Sequence, residues 1–186
     1  LPDEIGGILW FGIDDAAQTV YYPFYCGHTL TPPEMSAGNG DLLTFSWTSA
    51  FWIHNWVSNM VYTRYSDMSV DMKKVQSELE GGFRKAMPEV EGEATRLREQ
   101  SPAQAVHYLT QYTNNLVKDG VAEWKKLGEY LMVKYVDGVV KKEANGQFKR
   151  NPYGQPDSPL RPGYSNEYYK KIVEQTGEKY KVLSIE

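Results

Sequence analysis

Two segments near the beginning of the chain are apolar at consecutive positions instead of alternating ones. They cover residues 5–13 and 19–25, and both are rich in β-branched and aromatic side chains. Residues 14–18 between them are polar or small, so we predict a β-hairpin closed by a five-residue loop. Consecutive apolar positions are typical of strands that are covered on both faces. Pro23 lacks an amide hydrogen, which predicts a bulge or a strand end nearby.

The hydrophobic period becomes helical after a loop at residues 26–44 that is rich in glycine and proline. From Ser49 onward, apolar residues recur at intervals of three and four, which predicts a deeply buried helix. These positions are Ile53, Val57, Met60, Val61, Tyr65 and Met68. We predict that a second helix begins at Ser69 and weakens at Gly81–Gly82, and that a short acidic helix covers residues 88–100.

The clearest helix start in the chain is the run Ser101-Pro102-Ala103-Gln104. It combines a capping box with a proline at the first helical position. Apolar residues continue at helical spacing as far as Tyr135, so we predict one long helix in which Gly120 marks a bend or a break.

The C-terminal part of the chain predicts a second, smaller hairpin. After a turn at Asp137-Gly138, Val139-Val140 leads out and Phe148 leads back across Asn145-Gly146, a pair that suits a tight hairpin turn. A proline-rich segment follows from Pro152 to Pro162. The last predicted element is a short helix capped by Ser165 and closed by Gly177.

These elements divide the chain into a hairpin and loop at residues 1–47, a helical region at 48–136 and a C-terminal part at 137–186, within one structural domain or part of one. Two strands alone are only marginally stable in water. Of the 25 aromatic residues, 13 lie in the first 65 positions, so a large ring surface needs cover there. The helices can cover one face of the hairpin, but its edges and its second face have no evident partner.

Composition and charge exclude several classes of function. The chain has 186 residues, 41% of them hydrophobic and 24% charged, which are globular values. The net charge is −4, and no lysine or arginine precedes Arg64, so neither half offers the basic stripe that nucleic acid binding needs. No apolar run approaches the roughly 20 residues of a membrane span, so we expect no membrane association. The sequence leaves the cellular compartment unknown.

Cys26 is the single cysteine, which excludes an intramolecular disulfide and a multi-cysteine zinc site. The order Cys26-Gly27-His28 resembles a nucleophile and base pair, but the spacing does not favour that geometry. We therefore interpret Cys26 as a buried or half-buried thiol at a strand end. A second hypothesis places Cys26 and His28 at the rim of a substrate cleft.

The remaining polar candidates are two histidines and a loop. His54 lies on a buried helix between tryptophans, so we interpret it as a hydrogen-bonded core residue, and His107 shows no metal-ligand spacing. No metal is expected. Asn39 and Asp41 lie in a loop flanked by glycines and are candidates for binding a substrate amine or main chain, although turn chemistry explains them equally well.

Five segments together carry a resemblance to a known family. They are Leu1–Gly12 (LPDEIGGILWFG), Val20–Gly27 (VYYPFYCG), Ser49–Trp52 (SAFW), Val75–Glu80 (VQSELE) and Trp124–Leu131 (WKKLGEYL). Their order and spacing resemble the C-terminal portion of the PepD-type dipeptidases, relatives of the secernins. No single segment is a catalytic signature, and the resemblance extends over nearly the whole chain.

The resemblance implies a fold and a chemistry. The fold class is α+β: the C-terminal part of an αββα N-terminal-nucleophile hydrolase sandwich, with a predominantly helical region after a β-hairpin. The family's nucleophile is an N-terminal cysteine whose α-amino group acts as general base. No cofactor is implied. Within this chain we expect no catalytic residue, and we expect His28, Asn39 and Asp41 to bind the dipeptide substrate.

Residue 1 is leucine instead of methionine or the nucleophilic cysteine. We therefore expect a piece of a longer precursor, inactive by itself, whose upstream segment completes the sandwich; a homo-oligomer is a further possible assembly. One alternative is a stand-alone helical interaction module that pairs its hairpin with a partner's sheet. Another is an unrelated hydrolase that uses Cys26 with a distant histidine.

Overall fold

The computed structural model describes residues 1–182 and shows an α+β protein, about 58% helical, with two small antiparallel hairpins. The predicted α+β class is confirmed. An αββα sandwich is not seen in the described residues and stays a prediction. The chain forms two compact units, Leu1–Val133 and Lys134–Glu186, which we describe one after the other.

The first unit consists of a two-stranded ribbon and three long helices. The short helix α1 covers Asp3–Gly6, and strands β1 and β2 cover Ile8–Phe11 and Tyr22–Tyr25. A 3-10 turn follows at Pro33–Met35. Helices α2, α3 and α4 cover Ala50–Thr63, Tyr65–Gln100 and Pro102–Tyr135, the last continuing across the boundary between the units.

The first hairpin forms where predicted, but its strands are shorter and its connection is longer. Leu9 pairs with Phe24, and Trp10 pairs with Pro23, so the proline is the second residue of β2 and the predicted strand end lies beside it. The connection is held by side chains of α2: Asp14 accepts hydrogen bonds from Asn55 at 3.1 Å and from Ser58 at 2.7 Å. These bonds fix a loop in which Asp14 has a positive φ of 66°.

The two tyrosines of β2 pack into the core of the first unit. Tyr25 lies in a buried cluster with residues of α1, α3 and α4; the other members are Ile5, Val90, Ala94 and Leu109. The ring of Tyr22 is fully buried and contacts Phe83 of α3, with ring centres 5.8 Å apart. The opposite side of β1 is not covered, because Leu9 is 60% exposed and Phe11 is 45% exposed. The described residues therefore cover one face of β1 and leave the other open. This agrees with the expectation that the second face of the hairpin has no partner in this chain.

The boundaries between the predicted helices after Ser49 were wrong. The break lies at Arg64 (φ −150°, ψ 58°), and Ser69 is buried inside α3 instead of capping a new helix. Gly81–Gly82 and Pro88 do not interrupt α3 either. Glycine and proline cost a helix about 1 and 3 kcal/mol, and the buried side chains along α3, such as Phe83, supply the packing that outweighs these costs.

Helix α4 begins where the capping box predicted. The Gln104 amide donates to the Ser101 carbonyl at 3.0 Å. Helix α4 continues unbroken through Gly120, so the predicted break is not seen. Gly120 instead allows the Tyr22 ring to lie close to the helix backbone, because a Cβ atom at this position would lie 2.5 Å from Cε1 of Tyr22.

His54 is a core residue, as predicted. It is fully buried, and its Nδ1 lies 2.8 Å from the Ala50 carbonyl oxygen of the preceding turn. Its ring stacks on Trp124 of α4, with centres 5.5 Å apart and planes inclined by 17°. Because a carbonyl only accepts, Nδ1 donates and carries the hydrogen of the neutral ring.

The second unit contains the predicted small hairpin. Strands β3 and β4 cover Glu143–Ala144 and Gln147–Phe148, and Asn145 and Gly146 between them have positive φ angles of 55° and 75°. Two consecutive positive φ angles are the requirement of a type I′ turn. The outgoing segment was predicted at Val139-Val140, but Val140 instead bridges to Leu160.

The last predicted helix is also confirmed. Helix α5 covers Asn166–Thr176, and its Ser165 cap accepts a hydrogen bond from the Tyr168 amide at 3.2 Å. Gly177 ends it with a positive φ of 53°, and a 3-10 turn follows at Gly177–Tyr180.

The close approach at Gly120 generates the first prediction. In Gly120→Ala the new methyl group meets the Tyr22 ring, which is buried and cannot move away freely. We expect a loss of about 1–3 kcal/mol in the free energy of unfolding, measured by urea denaturation. Gly92→Ala is the matched control, because Gly92 lies on the exposed side of α3 with nothing within 4 Å. It should raise stability by about 0.5–1 kcal/mol; equal effects of the two changes would contradict the packing.

The burial of His54 generates the second prediction. Burial lowers the pKa of His54 from 6.5 to about 4, so the folded state binds fewer protons than the unfolded state between these values. Stability contributed by the neutral ring is therefore present above pH 6.5 and is lost as the pH falls toward 4, at up to about 1.4 kcal/mol per pH unit. The measurement is urea denaturation across this range. His54→Gln should flatten the slope, whereas a matched change of the exposed His107 to glutamine should keep it; an unchanged slope in His54→Gln would refute the assignment.

Candidate functional site

The candidate site lies on the uncovered side of the ribbon. We call this side the outer ribbon face and define it by Leu9 and Phe11 of β1 and Phe24 of β2. Leu9 lies opposite Phe24 in the strand register. The Phe11 and Phe24 rings meet edge to face, with centres 6.0 Å apart. This apolar face forms the wall of two neighbouring open cavities.

The smaller cavity, which we call the His28 cavity, has a volume of about 320 Å³ and is lined by the outer ribbon face, His28 and Met35. The larger one, which we call the loop cavity, has a volume of about 530 Å³. It is lined by Glu34, Asn39, Asp41 and the first turn of α2. Phe11 and Met35 line both cavities, so the predicted binding residues His28, Asn39 and Asp41 lie around one continuous region.

Helix α4 fixes the position of His28. The Nε2 atom of His28 lies 2.9 Å from Oδ1 of Asn114, and its ring packs edge to face on Phe24 at 5.1 Å between centres. One turn earlier on α4, Thr110 Oγ1 accepts from the Thr29 amide at 3.2 Å. Thr113 donates to the Pro23 carbonyl at 3.1 Å. Since the amide oxygen of Asn114 accepts, Nε2 of His28 carries the hydrogen, and Nδ1 is the acceptor in the neutral ring.

Asn39 organises the loop that encloses the larger cavity. Its amide nitrogen donates to the carbonyl oxygens of Pro33 and Thr48 at 3.0 and 3.1 Å. Its amide oxygen accepts from the hydroxyls of Ser46 and Thr48 at 2.7 and 2.9 Å. These four bonds use the full hydrogen-bonding capacity of the side chain. Direct substrate binding by Asn39 stays a prediction, and it would require one of these bonds to be exchanged.

Asp41 is exposed, and its carboxylate can accept further hydrogen bonds. Its Oδ1 accepts from the Leu43 amide at 2.8 Å, and this bond holds the pKa of Asp41 below its ordinary value. The Trp52 indole nitrogen donates to the carbonyl oxygens of Asp41 and Thr44 at 3.1 and 2.9 Å, which ties the loop to α2. Gly40 has a φ of 80°, and a Cβ atom there would lie 2.9 Å from the Trp52 ring. The loop therefore depends on a glycine beside Asp41.

The first turn of α2 presents unused hydrogen-bond donors to the loop cavity. Ser49 precedes the helix, but its hydroxyl makes no capping bond. The first bond inside the helix runs from the Ile53 amide to the Ser49 carbonyl at 3.0 Å. The amides of Ala50, Phe51 and Trp52 therefore have no acceptor within the helix, as at any helix start.

Glu34 is the site residue that sequence reasoning missed. One of its carboxylate oxygens is buried and has no hydrogen-bond partner among the described residues. Burial, and to a smaller extent the charge of Glu34, raise the pKa of the Tyr22 phenol. The sequence does show that Glu34 is an acidic residue within a proline-bounded turn, which the structure shows as a 3-10 turn. Nothing in the sequence, however, places this turn beside α2.

Cys26 was expected to be buried or half-buried, and this expectation was wrong, because the thiol is exposed. It follows β2 at the open end of the ribbon, where its sulfur lies beside Gly7. Cys26 lines a third cavity with Leu1 and Asp3, whereas His28 lines the His28 cavity. The structure therefore does not bring Cys26 and His28 into one cavity. The two-residue spacing at the end of a strand separates them.

The described residues contain neither a candidate metal cluster nor a candidate membrane span. Within residues 1–182, no three or more histidine, cysteine, aspartate or glutamate side chains are grouped so that they could hold a metal ion. None of the described helices is long and apolar enough to cross a membrane. His107 is exposed on α4 and lines a separate cavity beside Tyr108.

Comparison with protein families identifies the part of the chain that carries the site. Residues 1–78 match the family model described as Peptidase family C69. This region is related to peptidase family C69. The relationship to PepD-type dipeptidases predicted from the sequence is thereby confirmed for residues 1–78. The C69-related region contains the ribbon, the loop cavity, α2 and the beginning of α3.

The comparison with curated proteins and the comparison with solved structures gave no significant match. The predicted likeness of Trp124–Leu131 lies outside the residues that match the C69 family model and stays a prediction.

The bonding of Asn39 generates the third prediction. Asn39→Ala removes four hydrogen bonds from the loop, so we expect faster amide hydrogen exchange across residues 36–48 and a loss of about 1–3 kcal/mol in stability. Asn115→Ala, on the exposed side of α4, is the matched control and should change neither quantity. A variant that keeps its loop protection but loses affinity for a dipeptide would instead indicate that Asn39 contacts the substrate.

Proposed function

We propose that this chain is the C-terminal part of a cysteine dipeptidase of the N-terminal-nucleophile class. The relationship of residues 1–78 to peptidase family C69 supports a peptidase function. The finer assignment, to dipeptide hydrolysis by an N-terminal cysteine located ahead of Leu1, follows from the sequence resemblance. In this proposal the chain supplies the substrate-binding wall and no catalytic side chain.

The proposed reaction is acyl transfer through a thioester. The upstream cysteine thiol attacks the carbonyl carbon of the dipeptide, and its own α-amino group takes the thiol proton. That proton passes to the leaving amine as the C–N bond breaks. Water then attacks the thioester, which releases the N-terminal amino acid of the dipeptide and restores the thiol. A thiol suits the first step because an appreciable fraction of it is ionised near neutral pH.

The observation that carries the proposal is the uncovered outer ribbon face. Leu9 and Phe11 expose 60% and 45% of their surface, and no third strand pairs with β1 or β2 in the described residues. A ribbon of two strands is marginal in water, and strands with open edges favour pairing with further strands. An upstream segment that adds strands and a facing layer would cover this apolar surface.

The two alternatives fit these observations less well. A hydrolase built on Cys26 needs a histidine near the thiol, but the distant candidates lie elsewhere: His54 is buried in the core and His107 lines a separate cavity. An interaction module that pairs its hairpin with a partner's sheet explains the open edges equally well. It does not explain why the exposed ribbon lies in the region related to a peptidase family.

The fourth prediction tests the proposal by complementation. The chain alone should not hydrolyse alanyl-alanine, and addition of the upstream segment that bears the cysteine should produce hydrolysis, measured by release of free alanine. Cys26→Ala should leave this activity intact. Turnover by the chain alone that disappears in Cys26→Ala would overturn the proposal in favour of a Cys26 hydrolase.

A matched pair of surface variants tests the role of the outer ribbon face. Leu9 and Val70 are both apolar and are 60% and 67% exposed, so replacement by lysine should not unfold the chain in either case. Leu9→Lys should prevent assembly with the upstream segment, because it places a charge in the contact. Val70→Lys, on α3, should assemble as the unchanged chain does. Equal assembly of both variants would show that the outer ribbon face is not the contact surface.

A further inference from the structure

The loop cavity combines donors for an anion with acceptors for a cation. The donors are the amides of Ala50, Phe51 and Trp52, which line the cavity and form no hydrogen bond among the described residues. They stand at the start of a 14-residue helix, where the helix dipole favours negative charge. Helix starts of this kind are common, so this feature alone does not define a site.

The side chain of Ser49 provides evidence for a ligand site that is independent of the helix start. Its residue is only 5% exposed, and it lines the loop cavity. Serine before a helix ordinarily accepts from an amide of the first turn, but this hydroxyl makes neither that bond nor any other among the described residues. A nearly buried serine that leaves both its own hydrogen and the helix amides unused is suited to donate to a ligand oxygen together with them.

The acceptors are two carboxylates whose residues line the same cavity. Glu34 contributes a half-buried carboxylate, and Asp41 contributes an exposed one. No lysine or arginine lines the cavity, and none occurs before Arg64. Two carboxylates that line a cavity without any lysine or arginine favour a cationic ligand by their charge.

We propose that the loop cavity binds a free dipeptide as a zwitterion. The ligand carboxylate accepts from the Ser49 hydroxyl and the first amides of α2, and the ligand ammonium group donates to Glu34 and Asp41. This inference rests on the proposed dipeptidase function and assigns the groups that would select substrates with both termini free. The volume of about 530 Å³ lies in the range of small-molecule sites. Two residues span at most about 7 Å, so both termini fit within one such cavity.

The fifth prediction tests this site by isothermal titration of the 186-residue chain with four ligands. They are alanyl-alanine, N-acetyl-alanyl-alanine, alanyl-alanine amide and trialanine. We expect alanyl-alanine to bind, and each blocked dipeptide to bind about tenfold more weakly or worse, because each loses a charge-assisted hydrogen bond. Trialanine should also bind more weakly, since its termini are farther apart.

Three variants assign the two ends of the ligand. Glu34→Gln should weaken alanyl-alanine about tenfold but leave the N-acetyl compound unchanged, because that compound has no ammonium group. Ser49→Ala should weaken alanyl-alanine but not its amide. Ser49→Asp places a carboxylate beside the first amides of α2, and it should abolish binding by repelling the ligand carboxylate; its melting temperature is measured to show that the variant is folded. Exposed positions on α3 provide the matched controls, Glu89→Gln and Ser77→Ala, which should change nothing.

The inference is overturned if alanyl-alanine does not bind, if the blocked dipeptides bind equally well, or if Glu34→Gln and Ser49→Asp bind as the unchanged chain does. Its failure is distinguishable from failure of the proposed function. Hydrolysis by the complemented enzyme without selective binding at this cavity would reject only the inference. Selective binding without hydrolysis on complementation would reject only the dipeptidase proposal.

Discussion

The structure depends on the contact between strand β2 and helix α4. The Tyr22 ring lies directly on Gly120, where any side chain would collide with it. Farther along the strand, Tyr25 packs against Leu109 in the core, and Thr113 holds the Pro23 carbonyl. A two-stranded ribbon is marginal by itself, so this contact is what gives the ribbon a fixed place in the first unit. Glycine at 120 therefore reflects close packing between a strand and a helix and not a weak point of the helix.

The same contact determines which surface remains available for function. The β2 tyrosines pack on the helices, whereas Leu9, Phe11 and Phe24 form a side of the ribbon on which Leu9 and Phe11 stay exposed. The two cavities of the candidate site adjoin this side. Burial of one face thus leaves an apolar outer face that needs a further layer. The region related to a peptidase family therefore carries the apolar surface that the proposed upstream segment would cover.

Polar groups around the loop cavity divide into two kinds with different consequences. Asn39 and the Trp52 indole use their hydrogen bonds to fold the loop, so they give the cavity its shape. Glu34 and Ser49 keep hydrogen-bonding groups without partners among the described residues. Buried polar groups are normally satisfied, so atoms left unsatisfied beside an open cavity indicate where a ligand would be held. The proposed chemistry of the site rests on carboxylates and on helix amides with a hydroxyl, which belong to residues that line one cavity.

Local sequence signals determined the elements whose cause is local. The helix start at Ser101, the tight turn at Asn145-Gly146 and the Ser165 cap each rest on neighbouring residues, and the structure confirms them. The family relationship of residues 1–78 was also readable, because it rests on the order of residues. Only the tertiary structure decided that Pro88 stays inside a continuous helix, since distant packing outweighs its local cost. It alone also brought Glu34 beside the start of α2, because no local pattern encodes which loop meets which helix.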